Sequence, residues 1–450
     1  MNAFFSRPRR TSVLLFLLLV AGYNANGRES GSIDGQAAKY FARGMAVRGT
    51  WVLDRDVAAQ PQLGERAAFA IGRDGHWRPA YGVVPGLIAA IPAFVVHTTG
   101  LVDMDAPLAA NLLAKVTASL LTAAAVTLVF LALLRAVSTT VALVTALALG
   151  FGTNYWAAVS QTLSQQECVA FGLALTLWAW WRIDALSRTR LLVGAGGLAL
   201  AGAARMQVAP LVAVFLLWMI SRVGWRAAVA PTALVMTAAA LEVGRNLTWF
   251  GSVIGATAST EALHPLLHGV EGPLATAPWL NAFGLLVSPC RGLLVYSPIV
   301  LVALAGMALS LRRRSKTPDL FWLATAIVVQ FIMYACYAVW WGGHSFGPRY
   351  LLDVLIPLAP FGAIGAVWVG RRPVRKLAET MLLIWSVGVA GLGTFVYPND
   401  RWNTAPRDVD RFHTRLWEWR DSQISRALRS PNSPQNFTLF DRASVRQGRQ

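Results

Sequence analysis

The chain has 450 residues, of which 55% are hydrophobic and only 14% charged, with a net charge of +18. Soluble globular proteins carry about 25% charged residues, so this composition argues against an ordinary soluble enzyme. Apolar runs near 20 residues recur along the chain and predict an all-α polytopic membrane protein. The arginines stand in short clusters between these runs, a pattern typical of cytoplasmic membrane loops and not of a nucleic-acid-binding surface.

The first apolar run, residues 11–23, follows Arg7, Arg9 and Arg10. A basic start before a short apolar core also describes a cleaved signal peptide. Because no small-x-small cleavage site precedes Asn24, we interpret the run as a retained anchor with a cytoplasmic N-terminus.

Later basic clusters mark further cytoplasmic loops, and neighbouring clusters after Arg135 leave room for two spans, out and back. The sequence therefore predicts about eleven spans, with the tail at 397–450 outside the cytoplasm. The predicted spans are 11–23, 109–134, 138–156, 168–183, 191–204, 208–221, 227–244, 292–311, 319–340, 350–370 and 375–396.

Residues 83–99 are apolar but contain Pro85 and Pro92, which interrupt helical hydrogen bonding. If these residues crossed the membrane, every later basic cluster would lie on the opposite side of it. We therefore predict a juxtamembrane or re-entrant element within a first outer loop, residues 24–108. The alternative is a twelfth span with the C-terminus inside.

Four arginines lie at the predicted outer ends of spans, where arginine is otherwise disfavoured. Interfacial snorkelling is one explanation. Four guanidinium groups at one level also favour an anion at the interface, and a lipid-linked phosphate is the anion expected at that depth. The four candidates are Arg205, Arg245, Arg291 and Arg349.

Three carboxylates occur on the same predicted face. Glu29 and Asp34 follow the first span, and Glu167 stands at a helix start. Asp34 could cap a helix and Glu167 could complement a helix dipole. A carboxylate base with a cation-stabilised phosphate leaving group is the functional alternative.

Weaker candidates surround these residues. We assign His344, Trp341 and Gln166 to substrate binding, although His344 could be a plain polar loop residue and tryptophans also form interfacial belts. No G-x-x-x-x-G-K-[ST] motif occurs, so the sequence shows no ATP-binding loop that could drive a pump.

Several short stretches resemble the GT-C superfamily, polytopic glycosyltransferases that use polyprenyl-phosphate-linked sugars. The superfamily includes protein O-mannosyltransferases and the aminoarabinose transferases of lipid A. The stretches follow one another between residues 24 and 357. They read N-G-R-E-S-G-S-I-D-G, Y-G-V-V-P-G-L-I-A-A-I-P, F-G-T-N-Y-W-A-A-V-S-Q, R-G-L-L-V-Y-S-P and W-W-G-G-H-S-F-G-P-R-Y-L.

The resemblance implies a transmembrane catalytic domain at 1–396 with a GT-C-type helix bundle, followed by a short extracytoplasmic tail at 397–450. It implies Asp34 as general base, with Glu29 as the nearby substitute, and Glu167 as a second acidic site. The usual acidic pairs are absent, which puts a divalent metal in doubt, and we expect no cofactor.

The resulting hypothesis is a multi-pass glycosyltransferase of the bacterial inner membrane. It would move one hexose or pentose, with inversion, from a polyprenyl-phosphate donor to a glycan, lipid or protein acceptor outside the cytoplasm. A lipid-linked-sugar flippase or other transporter is the alternative, although we find no internal repeat. A non-catalytic assembly partner in the cell envelope is the third possibility.

Overall fold

The computed structural model describes residues 8–30, 33–106, 108–256, 269–272, 274–312 and 318–441. Within these residues the chain is a bundle of helices with one antiparallel hairpin, β1 (Phe69–Ile71) and β2 (Trp77–Pro79). The predicted all-α class is confirmed. The helices are α1 Pro8–Asn24, α2 Ile33–Arg48, α3 Asp54–Ala59, α4 Val84–Thr99, α5 Ala109–Leu133, α6 Thr139–Phe151, α7 Gln166–Trp180, α8 Arg188–Ala204, α9 Ala209–Phe250, α10 Pro278–Val287, α11 Leu293–Tyr296, α12 Val300–Arg312, α13 Pro318–Ala335, α14 Leu355–Val369, α15 Pro373–Phe395 and α16 Gln423–Ala427.

Five segments of the described chain are long and apolar enough to cross a membrane, and shorter apolar helices accompany them. Large apolar side chains such as Leu17, Leu217, Ile332 and Met381 are exposed on the outside of the bundle. Exposed apolar surface of this kind is expected where lipid replaces water. The five segments are Ala109–Leu133, Met206–Phe250, Pro318–Ala335, Tyr350–Val369 and Pro373–Phe395.

Breaks in the backbone divide two of the helical segments. The predicted spans 208–221 and 227–244 correspond to the two parts of α9, which are separated at Gly224 with φ 76° and ψ 160°, a conformation that glycine adopts readily. The predicted span 292–311 is divided into α11 and α12 around Pro298, which has no N–H to donate. α10 lies between the predicted spans 227–244 and 292–311, where the sequence predicts no span.

The predicted first outer loop folds into α2, α3, the hairpin and α4. Phe41, Leu53 and Phe69 form its apolar core with Val83 at the start of α4. Arg43 and Arg48 both pair with the buried Asp56 carboxylate, so the cationic end of α2 is neutralised inside the loop.

The segments before and after α4 meet at one end of the bundle. Val83, just before α4, belongs to the same apolar cluster as Ala110 in the first turn of α5. Whether residues 83–99 cross the membrane, and the number of crossings, stay predictions.

The tail lies at this same end, here called the capped end: the end that carries residues 25–82 and residues 397–441. Phe437 N–H donates to the Asn26 carbonyl and Leu439 N–H to the Gly27 carbonyl, each at 2.8 Å. Trp402, fully buried, anchors the tail's own core.

We predict that the capped end faces away from the cytoplasm, because the basic loops lie between spans at the opposite end. Alkaline phosphatase fused after Gln60 or after Asp441 should be active, since both positions belong to the capped end. A fusion after Asp184, in a basic loop, should be inactive and serves as the control. Unequal activity of the first two fusions at matched protein level would contradict this topology.

Candidate functional site

A cavity of about 250 Å³ opens at the capped end between the first loop, the turn before α7, the loop before α14 and the tail. Its lining is mixed, with Ala157, Val159, Phe346 and Leu352 among the apolar side chains. An apolar lining with a few polar groups is typical of ligand sites. The polar lining residues are Ser30, Thr162, Ser164, Gln166, His344, Ser345, Arg349, Tyr397, Asp400, Arg401, Asn403 and Thr404.

Asp34 and Arg349 form an ion pair at this cavity through Oδ2 and Nη2. Asp34 stands in the first turn of α2, and Arg349 lines the cavity. Their side chains are 22% and 26% exposed, so both remain accessible. The structure thus brings together the predicted base and one of the predicted phosphate ligands, 315 positions apart in the sequence.

Gly35 allows α2 to approach the turn that precedes α7. A Cβ at this position would lie 2.1 Å from the Leu163 carbonyl oxygen, a distance that no side chain tolerates. The absence of a side chain therefore sets Asp34 beside the 162–166 wall of the cavity.

Glu29, the predicted substitute for Asp34, is buried in a cluster of cations. Lys39 Nζ lies 3.1 Å from its Oε2, and the Thr162 hydroxyl donates to Oε1. Lys39 also donates to the Asn111 side chain at 2.6 Å. Both carboxylate oxygens are engaged, so this environment favours a structural counter-ion.

Glu167 is fully buried at the start of α7 and does not line the cavity. Its carboxylate accepts the Ser164 backbone N–H at 2.6 Å and the Ser164 hydroxyl at 2.8 Å. This geometry caps the start of α7, which is a structural role. The predicted role of Glu167 in substrate positioning gains no support from it.

Arg205 and Arg245 have acidic partners away from the cavity lining. Arg205 is buried, lies 3.1 Å from Asp353 Oδ2 and packs over the ring of Tyr334. Arg245 pairs with Glu242 through Nε at 3.1 Å and borders a separate small cleft. The predicted cluster of four phosphate-binding arginines is not assembled at one cavity, because these two guanidinium groups neutralise neighbouring acids.

Arg291 fastens the tail to the loop before α14. Its five N–H donors make five hydrogen bonds, which leaves no donor for a phosphate in this arrangement. The acceptors are the carbonyls of Trp341 (3.0 Å), Cys290 (2.8 Å) and Gly343 (3.0 Å) and the side chains of Gln423 (3.1 Å) and Asn403 (2.7 Å).

Two of the three predicted substrate-binding residues line the cavity, and the third is buried in the protein. His344 and Gln166 line the cavity. Trp341 is buried behind it, where its indole N–H donates to Asp410 Oδ1 at 2.7 Å. Trp341 therefore supports the loop and does not offer its ring as a stacking surface to the cavity.

Asp400, in the tail, is a cavity-lining carboxylate that is absent from the predicted site residues. Asp400 is 6% exposed, and its Oδ2 accepts no hydrogen bond from the described residues. Burial raises the pKa of this carboxyl, and burial also raises the pKa of the neighbouring Tyr397 to about 12. Nothing in the local sequence Y-P-N-D-R-W marks Asp400, because only the folding of the tail over the bundle brings it to the cavity.

Among the described residues, one group has the composition and spacing of a metal site: His344, Asp408 and Asp410. Asp34, Glu29 and Glu167 do not belong to it. The predicted catalytic acids therefore provide no metal-ligand set of three in the described chain.

No protein-family model matches the sequence, and no curated protein matches it. The fold, however, is similar to known structures. The apo crystal structure of ArnT from Cupriavidus metallidurans, a lipid A aminoarabinose transferase, aligns with a TM-score of 0.51 at 13% identity, covering 90% of this chain and 67% of ArnT.

The oligosaccharyltransferase of Archaeoglobus fulgidus, crystallised with Zn and sulfate, aligns with a TM-score of 0.49 at 11% identity, covering 91% of this chain and 57% of that protein. The likeness to ArnT, at this identity, concerns the fold. The helix bundle of this chain is therefore similar in fold to that of ArnT.

Proposed function

We propose that the protein is a glycosyltransferase of the bacterial inner membrane that acts at the capped end, outside the cytoplasm. It moves one sugar from a polyprenyl-phosphate donor to a hydroxyl of a glycan, lipid or protein acceptor. The observation that carries this proposal is the Asp34–Arg349 ion pair beside a cavity that is partly lined by apolar side chains.

The pair supplies the two opposite charges that such a reaction needs. A polyprenyl-phosphate sugar carries its anionic phosphate on an apolar chain. Because the chain lies in the membrane, the phosphate requires a cationic partner close to the membrane surface. The planar guanidinium of Arg349 offers paired donors that match phosphate oxygens. Once a phosphate occupies Arg349, the Asp34 carboxylate loses its partner and becomes available to the acceptor hydroxyl.

The chemistry is a single displacement at the anomeric carbon. Asp34 takes the proton of the acceptor hydroxyl while that oxygen attacks the sugar. The bond between the anomeric carbon and the phosphate oxygen breaks, and its electron pair stays on the polyprenyl phosphate. Arg349 stabilises this charge, and attack opposite the leaving group inverts the anomeric configuration.

The Asp34→Asn variant tests the base. Transfer should fall by roughly 10²–10⁴-fold, the usual worth of a positioned base, with an unchanged melting temperature. Initial rates with purified protein and a polyprenyl-phosphate sugar measure this. In the Glu29→Gln control, loss of the counter-ion should destabilise the fold by about 3–5 kcal/mol, as broken buried pairs do, with the rate per folded molecule preserved.

Two outcomes would contradict this assignment. Full activity of Asp34→Asn would exclude the residue as base, and loss of transfer in Asp400→Asn alone would move the role to the tail carboxylate. Movement of donor across vesicles by the wild type, without sugar transfer, would favour the flippase alternative.

The phosphate role of Arg349 is separable from the structural role of Arg291. Lysine keeps the charge but loses the planar fork, so Arg349→Lys should lower both kcat and apparent donor affinity with little change in melting temperature. Arg291→Lys should do the reverse: it loses at least two of the five hydrogen bonds that join the tail to the loop before α14 and lowers the melting temperature, while folded molecules retain their rate. Wild-type kinetics in Arg349→Lys at low and saturating donor would remove Arg349 from the site.

A further inference from the structure

Outside the Asp34–Arg349 pair, His344 faces two carboxylates of the tail. His344 Nε2 lies 3.1 Å from Asp408 Oδ1 and 3.4 Å from Asp410 Oδ2. One ligand atom from each residue falls within 4.8 Å of the other two.

We propose that His344, Asp408 and Asp410 form a divalent-cation site, most suited to zinc, that fastens the tail to the loop before α14. A tetrahedral ion with bonds of about 2.0–2.1 Å separates its ligand atoms by about 3.3 Å. The two measured separations fall on either side of this value. Octahedral magnesium gives a shorter separation, about 2.9 Å, and prefers oxygen ligands.

The carboxylates are already oriented for such a role by groups other than His344. The Trp341 indole N–H donates to Asp410 Oδ1, and the Asp410 backbone N–H donates to Asp408 Oδ1 at 2.9 Å. Asp410 Oδ2, the atom that faces His344, is a different oxygen from the one that Trp341 holds. Hydrogen bonds of this kind orient metal ligands in protein sites.

The three residues lie where the cavity meets the tail. His344 lines the cavity, whereas Asp408 and Asp410 belong to the tail. An ion bound by these three residues lies at the edge of the cavity and ties two of its walls together. With three protein ligands, a tetrahedral zinc ion keeps one position open.

Zinc binding to the full chain in detergent tests the site directly. Chelator-treated wild-type protein should take up about one zinc per chain and melt at a higher temperature with zinc than without it. His344→Gln and Asp410→Asn should weaken the affinity by at least about 10–100-fold, since loss of a supporting hydrogen bond alone costs that much. Without zinc, both variants should melt close to the metal-free wild type.

His76→Gln is the matched control. His76 Nδ1 contacts one carboxylate, Asp54 Oδ2, at 2.6 Å and is half-exposed in the first loop, so this variant should bind zinc like the wild type. Trypsin cleavage after Arg407 and Arg411 gives a second measurement, because zinc should slow it in the wild type and not in His344→Gln.

Equal zinc uptake by wild type and His344→Gln would overturn the site. So would the absence of uptake by a folded wild type, which would leave His344 as an ion-pair partner of the tail. The inference does not depend on the proposed function: a chain that binds zinc through these residues and transfers no sugar refutes only the glycosyltransferase proposal.

Discussion

A guanidinium group removed from water must give its N–H donors to protein acceptors, and this constraint organises the capped end. Arg28, Arg205, Arg291 and Arg415 are at most 3% exposed. Arg205 pairs with a buried aspartate, and Arg28 and Arg291 donate to backbone carbonyls of distant segments. Arg415 donates to the Trp402 carbonyl within the tail itself. Because an unpaired buried charge is costly, the first three arginines join segments that are far apart in the sequence, and Arg415 holds the tail together.

Arg349 differs from these four in having few partners and an accessible side chain. Its contacts are the Asp34 carboxylate and, at 3.4 Å, the Gly342 carbonyl. An ion pair at this exposure exchanges readily with a ligand anion, since water can compensate each partner in turn. The same residue type therefore has two environments at one end of the bundle: four arginines are buried, and Arg349 is accessible, as its proposed phosphate role requires.

The sequence predicted the helical membrane class and the GT-C-like fold, because apolar runs and local motifs carry that information. The roles of Asp34 and Arg349 stay predictions, although the fold brings the two residues together in one ion pair. The sequence could not distinguish Arg291 from Arg349: both open an apolar run, and only the folded tail shows that Asn403 and Gln423 occupy the donors of Arg291. Asp400 was missed for the same reason. The separate helix α10 also depends on packing that periodicity does not record.

The central claim is that a polyprenyl phosphate binds at the capped end with its phosphate on Arg349. A cryo-EM structure with bound polyprenyl phosphate tests it most directly. The account predicts phosphate density about 3 Å from the Arg349 guanidinium, with Asp34 released from the ion pair. Phosphate density instead at the opposite end, where Arg182 and Arg371 line a cavity of about 280 Å³, with the Asp34–Arg349 pair intact, would contradict it.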